Sequence, residues 1–381
     1  MPYFDHNATT PLLPAAREAW LRASDEAWAN PSSPYRLSAR VFRLLGEARA
    51  RVSAHLGVTP EEIVFTSGAT EANNAAIRWI ARVLPADARA CVAATEHPSV
   101  LAAARDAFGE RCVAGPVASD GQFASATVTT TPARFVAVMA ANNETGVLGP
   151  VAEVDAVCRE RGAWYLCDAS QWIGRLPARG LALGGFVVGC AHKFGGPKGV
   201  GFLRVPPAAL AAGFRAQRGG EQEGGRRAGT ENFPAIAAMV AALDAAEAQS
   251  GSIATRAAWR SAFIDAIARC IPGVVVNSGD APCLWNTVSL RLPAHDNTRW
   301  VVRLDKLGFE VSTGSACASG SAAPSHVLAA MGLTPEAARR TIRISSGWAT
   351  TERDWQLLAE ALANVWGQFE AESGSGKVIQ V

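Results

Sequence analysis

The chain has 381 residues, a net charge of +2, 49% apolar residues and only 18% charged ones. That length is ample for a buried core and predicts two or three domains. The near-neutral charge, without a basic run, argues against a nucleic-acid partner, and no apolar run reaches the ~18 residues of a membrane span.

In chain order, strand-like runs alternate with helix-like ones. EEIVFTS (61–67) precedes TEANNAAIRWIARVL (70–84), and ACVAATE (90–96) precedes HPSVLAAARDAF. RFVAVMAAN (134–142) precedes VAEVDAVCRERG; AWYLCDA (163–169) leads towards GFVVGCA (185–191), and GVGFLRV (199–205) follows. Short, nearly continuous apolar strands between helices predict an α/β fold whose parallel sheet is covered on both faces. Ligands then belong beyond the carboxyl ends of those strands. An Ala-rich helix over 234–249 ends the pattern. A second α/β unit follows: a helix over 254–271, WNTVSLRL, a helix near 297–307, FEVSTG, TIRISSG and a last helix near 351–370. The expected organisation is a large domain over 15–250, with 1–14 and 251–381 forming a small one. The tail ESGSGKVIQV is expected to fray.

The start, MPYFDHNATTP, lacks the charged and apolar regions of a signal peptide, and a cytoplasmic location is expected. The eight cysteines fit a reducing compartment, and no C-x-x-C suggests zinc or dithiol redox chemistry. Most sit in apolar segments, where a free cysteine packs as a small hydrophobe. Cys317 differs: STGSACASGSAAP surrounds it with small and polar residues, as suits a reactive thiol.

Of 36 basic residues only Lys193, Lys198, Lys306 and Lys377 are lysines. Base composition of the coding DNA explains such a bias, but so does chemistry at particular sites. Imine formation needs a neutral primary amine, which arginine cannot supply. Lys198, in a Pro-Lys-Gly turn, reads as solvated.

Each predicted strand end carries polar residues. Ser67, Gly68, Ala69 and Thr70 stand where a strand turns into a helix. Their N–H groups and the Thr70 hydroxyl suit a phosphate, or an ordinary N-cap. His97, Asn142 and Asn143 occupy two more strand ends, and a lone histidine there is also an ordinary structural residue. Asp168 ends an almost purely apolar strand, with Gln171 three residues on. A carboxylate there needs a partner: a protonated pyridine nitrogen, or a nearby arginine. Lys193 follows at the next strand end. A phosphate loop, a pyridinium-pairing Asp and an imine-forming Lys are what a pyridoxal phosphate site needs.

With these residues assembled, the chain resembles cysteine desulfurases of the NifS/IscS type, class V aminotransferase-like enzymes. The stretches that carry the resemblance are FDHNATTP, NPSSPYRLS, FTSGATEANN, TEHPSV, NNETG, CDASQ, AHKFGGPKGVG, RRAGTEN, GSACASG and TIRISSGWATT, spanning nearly the whole chain. The resemblance implies the type I pyridoxal phosphate fold: a mostly parallel seven-stranded sheet between helices, plus a smaller C-terminal α/β domain. It implies that Lys193 forms the imine, that Asp168 binds the pyridinium nitrogen, and that Gln171 bonds the ring hydroxyl oxygen. His97 would stack on the ring and assist proton transfer. Ala69, Thr70, Cys190 and His192 would hold the phosphate, joined by Thr230 from the other subunit of a homodimer. Asn143, beside the cofactor, and Arg343 would hold the substrate carboxylate, although Arg343 in TIRIS alone reads as a strand's solvent face. Cys317 would be the nucleophile, on a short loop of the flexible kind that Gly314, Ser315, Ser319 and Gly320 would allow to move. No metal takes part.

The activity so implied converts L-cysteine to L-alanine and passes sulfur to Cys317 as a persulfide. A sulfur-acceptor protein such as an iron–sulfur scaffold would then receive it. The same fold also hosts selenocysteine lyases and transaminases, and a transaminase has no need of Cys317. A reading from another class is a non-catalytic sulfur-relay or assembly partner; intact Lys193, Asp168, His97 and Cys317 weigh against it. The chain departs from the family pattern where Cys190 replaces a serine, Glu221 a glycine and Gly224 an arginine. Segment 112–133 is abbreviated. Residues Asn7 to Thr10 match the family's N-terminal motif and receive no catalytic role.

Overall fold

The computed structural model describes residues 2–181, 183–314 and 325–375. Seven strands form the main sheet: β1 (Ile63–Thr66), β2 (Arg89–Ala93), β3 (Cys112–Gly115), β4 (Ala133–Ala137), β5 (Trp164–Asp168), β6 (Phe186–Cys190) and β7 (Gly201–Arg204). Their order is β1-β7-β6-β5-β4-β2-β3. Only β7 runs against its neighbours, pairing antiparallel with both β1 and β6. The mostly parallel α/β sheet is therefore as expected. Strand β3 was not anticipated, because half of its side chains stay exposed and it lacks the apolar run that marks the inner strands.

The central strands alternate between two cores, which is why they are apolar throughout. On β5, Tyr165 and Cys167 enter one core while Leu166 enters the other. On β4, Val136 faces the first, and Phe135 and Ala137 the second. The second core is dense in aromatic rings: Trp79 meets Trp164 edge-on at 5.2 Å and Phe214 at 5.6 Å. Each such buried ring contributes about 2–3 kcal/mol by burial, with somewhat more from the edge contacts.

Helices Pro14–Glu26 and Arg36–Leu56 precede the sheet. They were not read from the sequence. Pro14–Glu26 carries a narrow stripe of alanines, Ala16, Ala19 and Ala23, on its buried face, and so shows little hydrophobic contrast.

Beyond the helix Phe233–Glu247 comes a separate three-stranded antiparallel sheet, ordered β10-β9-β8. Its strands are β8 (Val275–Val276), β9 (Thr287–Arg291) and β10 (Thr341–Ser345). Helices Ile253–Cys270 and Glu352–Ser375 supply side chains to its core, which also takes Phe4 from the chain's start. The N-terminal segment thus crosses from this sheet to the main one: His6 N–H bonds the Ser345 carbonyl, and Thr10 N–H bonds the His192 carbonyl. FEVSTG does not extend into a ladder. It makes isolated bridges, Tyr3 with Glu310 and Ser312 with Arg343. The last helix runs to Ser375, further than the sequence suggests, and the rest of the tail lies outside the described residues.

Candidate active site

Five strand ends converge on one cavity of about 550 Å³. Its floor follows from strand register. Gly201 at the start of β7 faces Thr66 of β1 on one side and Cys190 of β6 on the other. A side chain at 201 would meet the backbone: its Cβ would sit 2.8 Å from Gly68 Cα. Gly68 has φ 147°, a conformation other residues rarely adopt. These two glycines let the turn after β1 fold close against β7 and aim the helix Ala69–Val83 at the cavity. Ala69 and Thr70 open that helix and line the cavity, which places the helix N-terminus beside it.

Around this cup stand Cys190, His192 and Lys198. A Cβ on Gly68 would lie 3.7 Å from Cys190 Sγ, which places the thiol against the turn. Burial pushes the Cys190 thiol up, so it is protonated and can donate. His192 Nδ1 is 3.2 Å from Thr9 Oγ1. Burial, then the nearby lysines, pull this imidazole down to about 4, and it is neutral at pH 7. Lys198 is exposed, as expected, yet its position at the cavity mouth was not.

Lys193 follows the short turn after β6. Its Nζ donates to the carbonyls of Asn7 (2.7 Å) and Ala8 (2.9 Å). The segment given no catalytic role thus holds this amine. Burial lowers the Lys193 ammonium to about 8, so the neutral amine is far more accessible near physiological pH than on an ordinary lysine.

Asp168 ends β5 and is 5% exposed. Its oxygens accept from Asn73 Nδ2 (2.8 Å) and from the Ser170 N–H (3.0 Å). Among the described residues it has no ion-pair partner, so no arginine neutralises it. Gln171 is oriented by a neighbour. Arg175 donates to its Oε1 at 2.6 Å, so the amide nitrogen is the end left to donate, and it bonds the Asn7 carbonyl at 3.0 Å.

His97 caps the helix Pro98–Phe108. Its Nδ1 accepts from Ser99 N–H at 3.1 Å and lies 2.8 Å from Ser99 Oγ. A backbone N–H can only donate, so the neutral ring carries its proton on Nε2. Burial, outweighing Asp168, lowers the His97 imidazole and favours that neutral form. Beside it, Glu96 is fully buried, and burial followed by Asp168 pushes its carboxyl well up.

Asn142 and Asn143 diverge. Asn142 is buried and turns its Oδ1 to the N–H groups of Glu144 and Thr145, a local turn role. Asn143 lines the cavity. Arg343 is 1% exposed, so it is not on a solvent face. Its guanidinium donates to the Asn143 and Gly314 carbonyls (3.1 and 2.9 Å) and pairs with Asp5 at 2.6 Å, while Nε has no partner. His326 also lines the cavity, its Nε2 donating to the Glu96 carbonyl at 2.9 Å. Thr230 is exposed and is not among the cavity's residues. It lies in an adjoining hollow that shares Ser67 and Gly199 with the cavity. Cys317, with Ser315, Ser319 and Gly320, lies outside the described residues.

Glu221 and Gly224, the departures from the family pattern, fall in a tight turn. Gly224 has φ 63°, and Glu223 between them has φ 53°. Glu223 is buried and receives both nitrogens of Arg49 at 2.7 Å. That pair ties the turn to the helix Arg36–Leu56.

Sequence reading missed Asp5, Asn73, Ser99, Arg175 and His326, and gave Asn7 no role. Several lie inside the quoted motifs, but nothing in their spacing shows which side chains turn inward.

The family model for class V aminotransferases matches residues 2–358. The chain belongs to this family, and within it to the cysteine desulfurases. A cysteine desulfurase from Frankia sp. (strain EuIK1) is 37% identical over 389 residues, covering 95% of this chain and 90% of the relative. Among solved structures, a NifS-like protein superposes with a TM-score of 0.87 at 28% identity, over 96% of this chain and 99% of that one. The structure of SspA in complex with cysteine gives a TM-score of 0.79 at 28% identity, over 91% and 99%. Class V aminotransferases are pyridoxal phosphate enzymes. The donor set of this cysteine desulfurase suits that group: an inward amine, a buried carboxylate without a cation, and a helix N-terminus opening on the same cavity.

Proposed function

We propose that this cavity holds pyridoxal 5'-phosphate and converts L-cysteine to L-alanine, with the sulfur passing to the Cys317 thiol. The observation that carries this reading is the facing of Lys193 and the cation-free Asp168 across one cavity. Pyridoxal phosphate, when bound, supplies an aldehyde for the substrate amine and a ring that accepts electrons from the α-carbon. Lys193 would supply the amine that tethers the cofactor and would be the base for the α-proton. Asp168 would hold a proton on the ring nitrogen, and Gln171 would donate its amide N–H to the ring hydroxyl oxygen. Ala69 and Thr70, with Cys190 and His192, would hold the phosphate.

His97 would lie against the ring, where its Nε2–H could serve proton transfer. Arg343, whose Nε has no partner, would hold the substrate carboxylate together with Asn143, both lining the cavity. The balance is simple: the carbon–sulfur bond of L-cysteine breaks with its electron pair left on the β-carbon, which takes a proton to become the methyl of alanine, while Cys317 gives up its thiol proton and bonds the departing sulfur as a persulfide.

This reading includes a homodimer, in which Thr230, exposed and not lining its own cavity, would join the phosphate site of the partner subunit. Residues 15–250 form the cofactor-binding part, and 1–14 with 251–381 carry the thiol loop. The persulfide serves a sulfur-acceptor protein such as an iron–sulfur scaffold. No helix of the described residues is long and apolar enough to cross a membrane. The free cysteines among the described residues suit a reducing cytoplasm.

The direct test is incubation of the purified protein with pyridoxal phosphate and L-cysteine. Equal yields of alanine and of a persulfide mapped by mass to Cys317 are expected. Pyruvate-dependent transamination without persulfide would overturn the desulfurase reading.

A further inference from the structure

Two groups expected on the cofactor ring are wired to each other through side chains that no assignment above uses. Asn73 lies one turn into the helix Ala69–Val83 and is 0% exposed. Its Nδ2 is 2.8 Å from Asp168 Oδ2 and 3.0 Å from Ser99 Oγ. Ser99 Oγ in turn is 2.8 Å from His97 Nδ1.

The direction of every bond in this chain is determined. Asp168 as carboxylate only accepts, so Asn73 presents its amide nitrogen; the flipped amide would set two acceptors against each other. The second amide hydrogen goes to Ser99 Oγ. That hydroxyl then has its own hydrogen to give to His97 Nδ1, which also accepts from the Ser99 N–H. Asn73 Oδ1 is left buried without a partner. Burying an unsatisfied carbonyl costs free energy, so its two donor bonds are retained against that cost. The same helix that opens on the phosphate cup therefore also ties together residues from the ends of β2 and β5.

We propose that Asn73 and Ser99 are positioning residues that lock Asp168 and His97 to one another and hold His97 with its proton on Nε2, toward the reacting atoms. This rests on the pyridoxal phosphate reading for what lies between the two groups. The lock itself belongs to the protein with or without cofactor. Its consequence is that the carboxylate and the imidazole cannot reorient independently. A shift of one is passed to the other through hydrogen bonds among buried groups, where such bonds are strong.

The test uses the full chain labelled with ¹⁵N-histidine, with and without added pyridoxal phosphate. His97 resonances are assigned by His97→Gln. The wild type is expected to show unprotonated Nδ1 and protonated Nε2. Asn73→Leu and Asp168→Asn are each expected to shift the His97 resonances. Ser99→Ala is expected to lower kcat with L-cysteine about tenfold, the scale of one lost hydrogen bond near a charged group, while KM and bound cofactor hold. Ser99→Thr, which keeps the hydroxyl, is expected to restore the rate. His97 protonated on Nδ1, or His97 resonances indifferent to both Asn73→Leu and Asp168→Asn, would overturn the proposal. A Ser99→Ala enzyme as fast as wild type would do the same. A wild type that binds no cofactor would instead sink the reading of the site, and the resonances would still report on the lock.

Discussion

Asp5 and Arg343 form an ion pair of 2.6 Å that joins the N-terminal segment to strand β10. The arginine side chain is 1% exposed and the aspartate 22%. Among the described residues, Asp5 is therefore the counter-charge of Arg343.

Asp5→Asn leaves that buried guanidinium without its counter-charge. Losing one partner of such a pair costs about 3 kcal/mol. A lower urea midpoint at unchanged slope, together with a raised KM for L-cysteine, is the expected outcome. An unchanged midpoint would show that the carbonyls of Asn143 and Gly314 suffice.

Lys193 titrates at about 8 because it is buried. Only the neutral amine attacks an aldehyde, so cofactor capture by the cofactor-free protein should quicken as pH rises towards 8 and level off above it. Stopped-flow absorbance after mixing with pyridoxal phosphate measures this. The linked stability has a definite sign. The ammonium is disfavoured in the folded state, so the cost is present below about 8 and is relieved as pH rises towards the ordinary lysine value of 10.5. Lys193→Ala should lose the visible band that depends on the tether.

Cys190→Ser places a hydroxyl in the cavity wall, where the proposed function puts the cofactor phosphate. Sulfur is the weaker donor, so the serine variant should hold pyridoxal phosphate about threefold to tenfold more tightly, the scale of one improved hydrogen bond. Equilibrium dialysis reads the difference. Weaker binding in the variant would mean that the thiol packs against the turn rather than donating.

Cys317→Ser should keep the cofactor spectrum and lose turnover with L-cysteine by at least about a hundredfold, because the hydroxyl is a far poorer sulfur acceptor at neutral pH. Alanine production at the wild-type rate would remove Cys317 from its role as nucleophile.

Much of the fold was legible in the sequence. Continuous apolar runs such as YLC in β5 and FVV in β6 fit strands buried on both faces, although the described residues between these two strands form turns rather than the helix that alternation predicts. The polar residues at their ends, Asp168 and Lys193 among them, stood out because a charge after an apolar strand needs a reason. β3 and the alanine-striped helix Pro14–Glu26 did not stand out: both are half-exposed or poor in large side chains, so local pattern is weak. Arg343 was misleading for the opposite reason. Alternation in TIRIS reads as one wet face, but that face is covered by the N-terminal segment, which pairs it with a residue 338 positions away.

What the sequence alone determined is therefore the set of strand ends and the reactive groups they carry, since both are written in local order of apolar and polar residues. What the tertiary structure decided is how those groups are held. Asp168 is steadied by Asn73 across 95 residues, and Lys193 by carbonyls 185 and 186 residues away. Such bonds depend on strand register and helix packing to within a few tenths of an ångström. Side-chain hydrogen bonds of that kind leave no periodic trace along the chain, so only the folded molecule shows them.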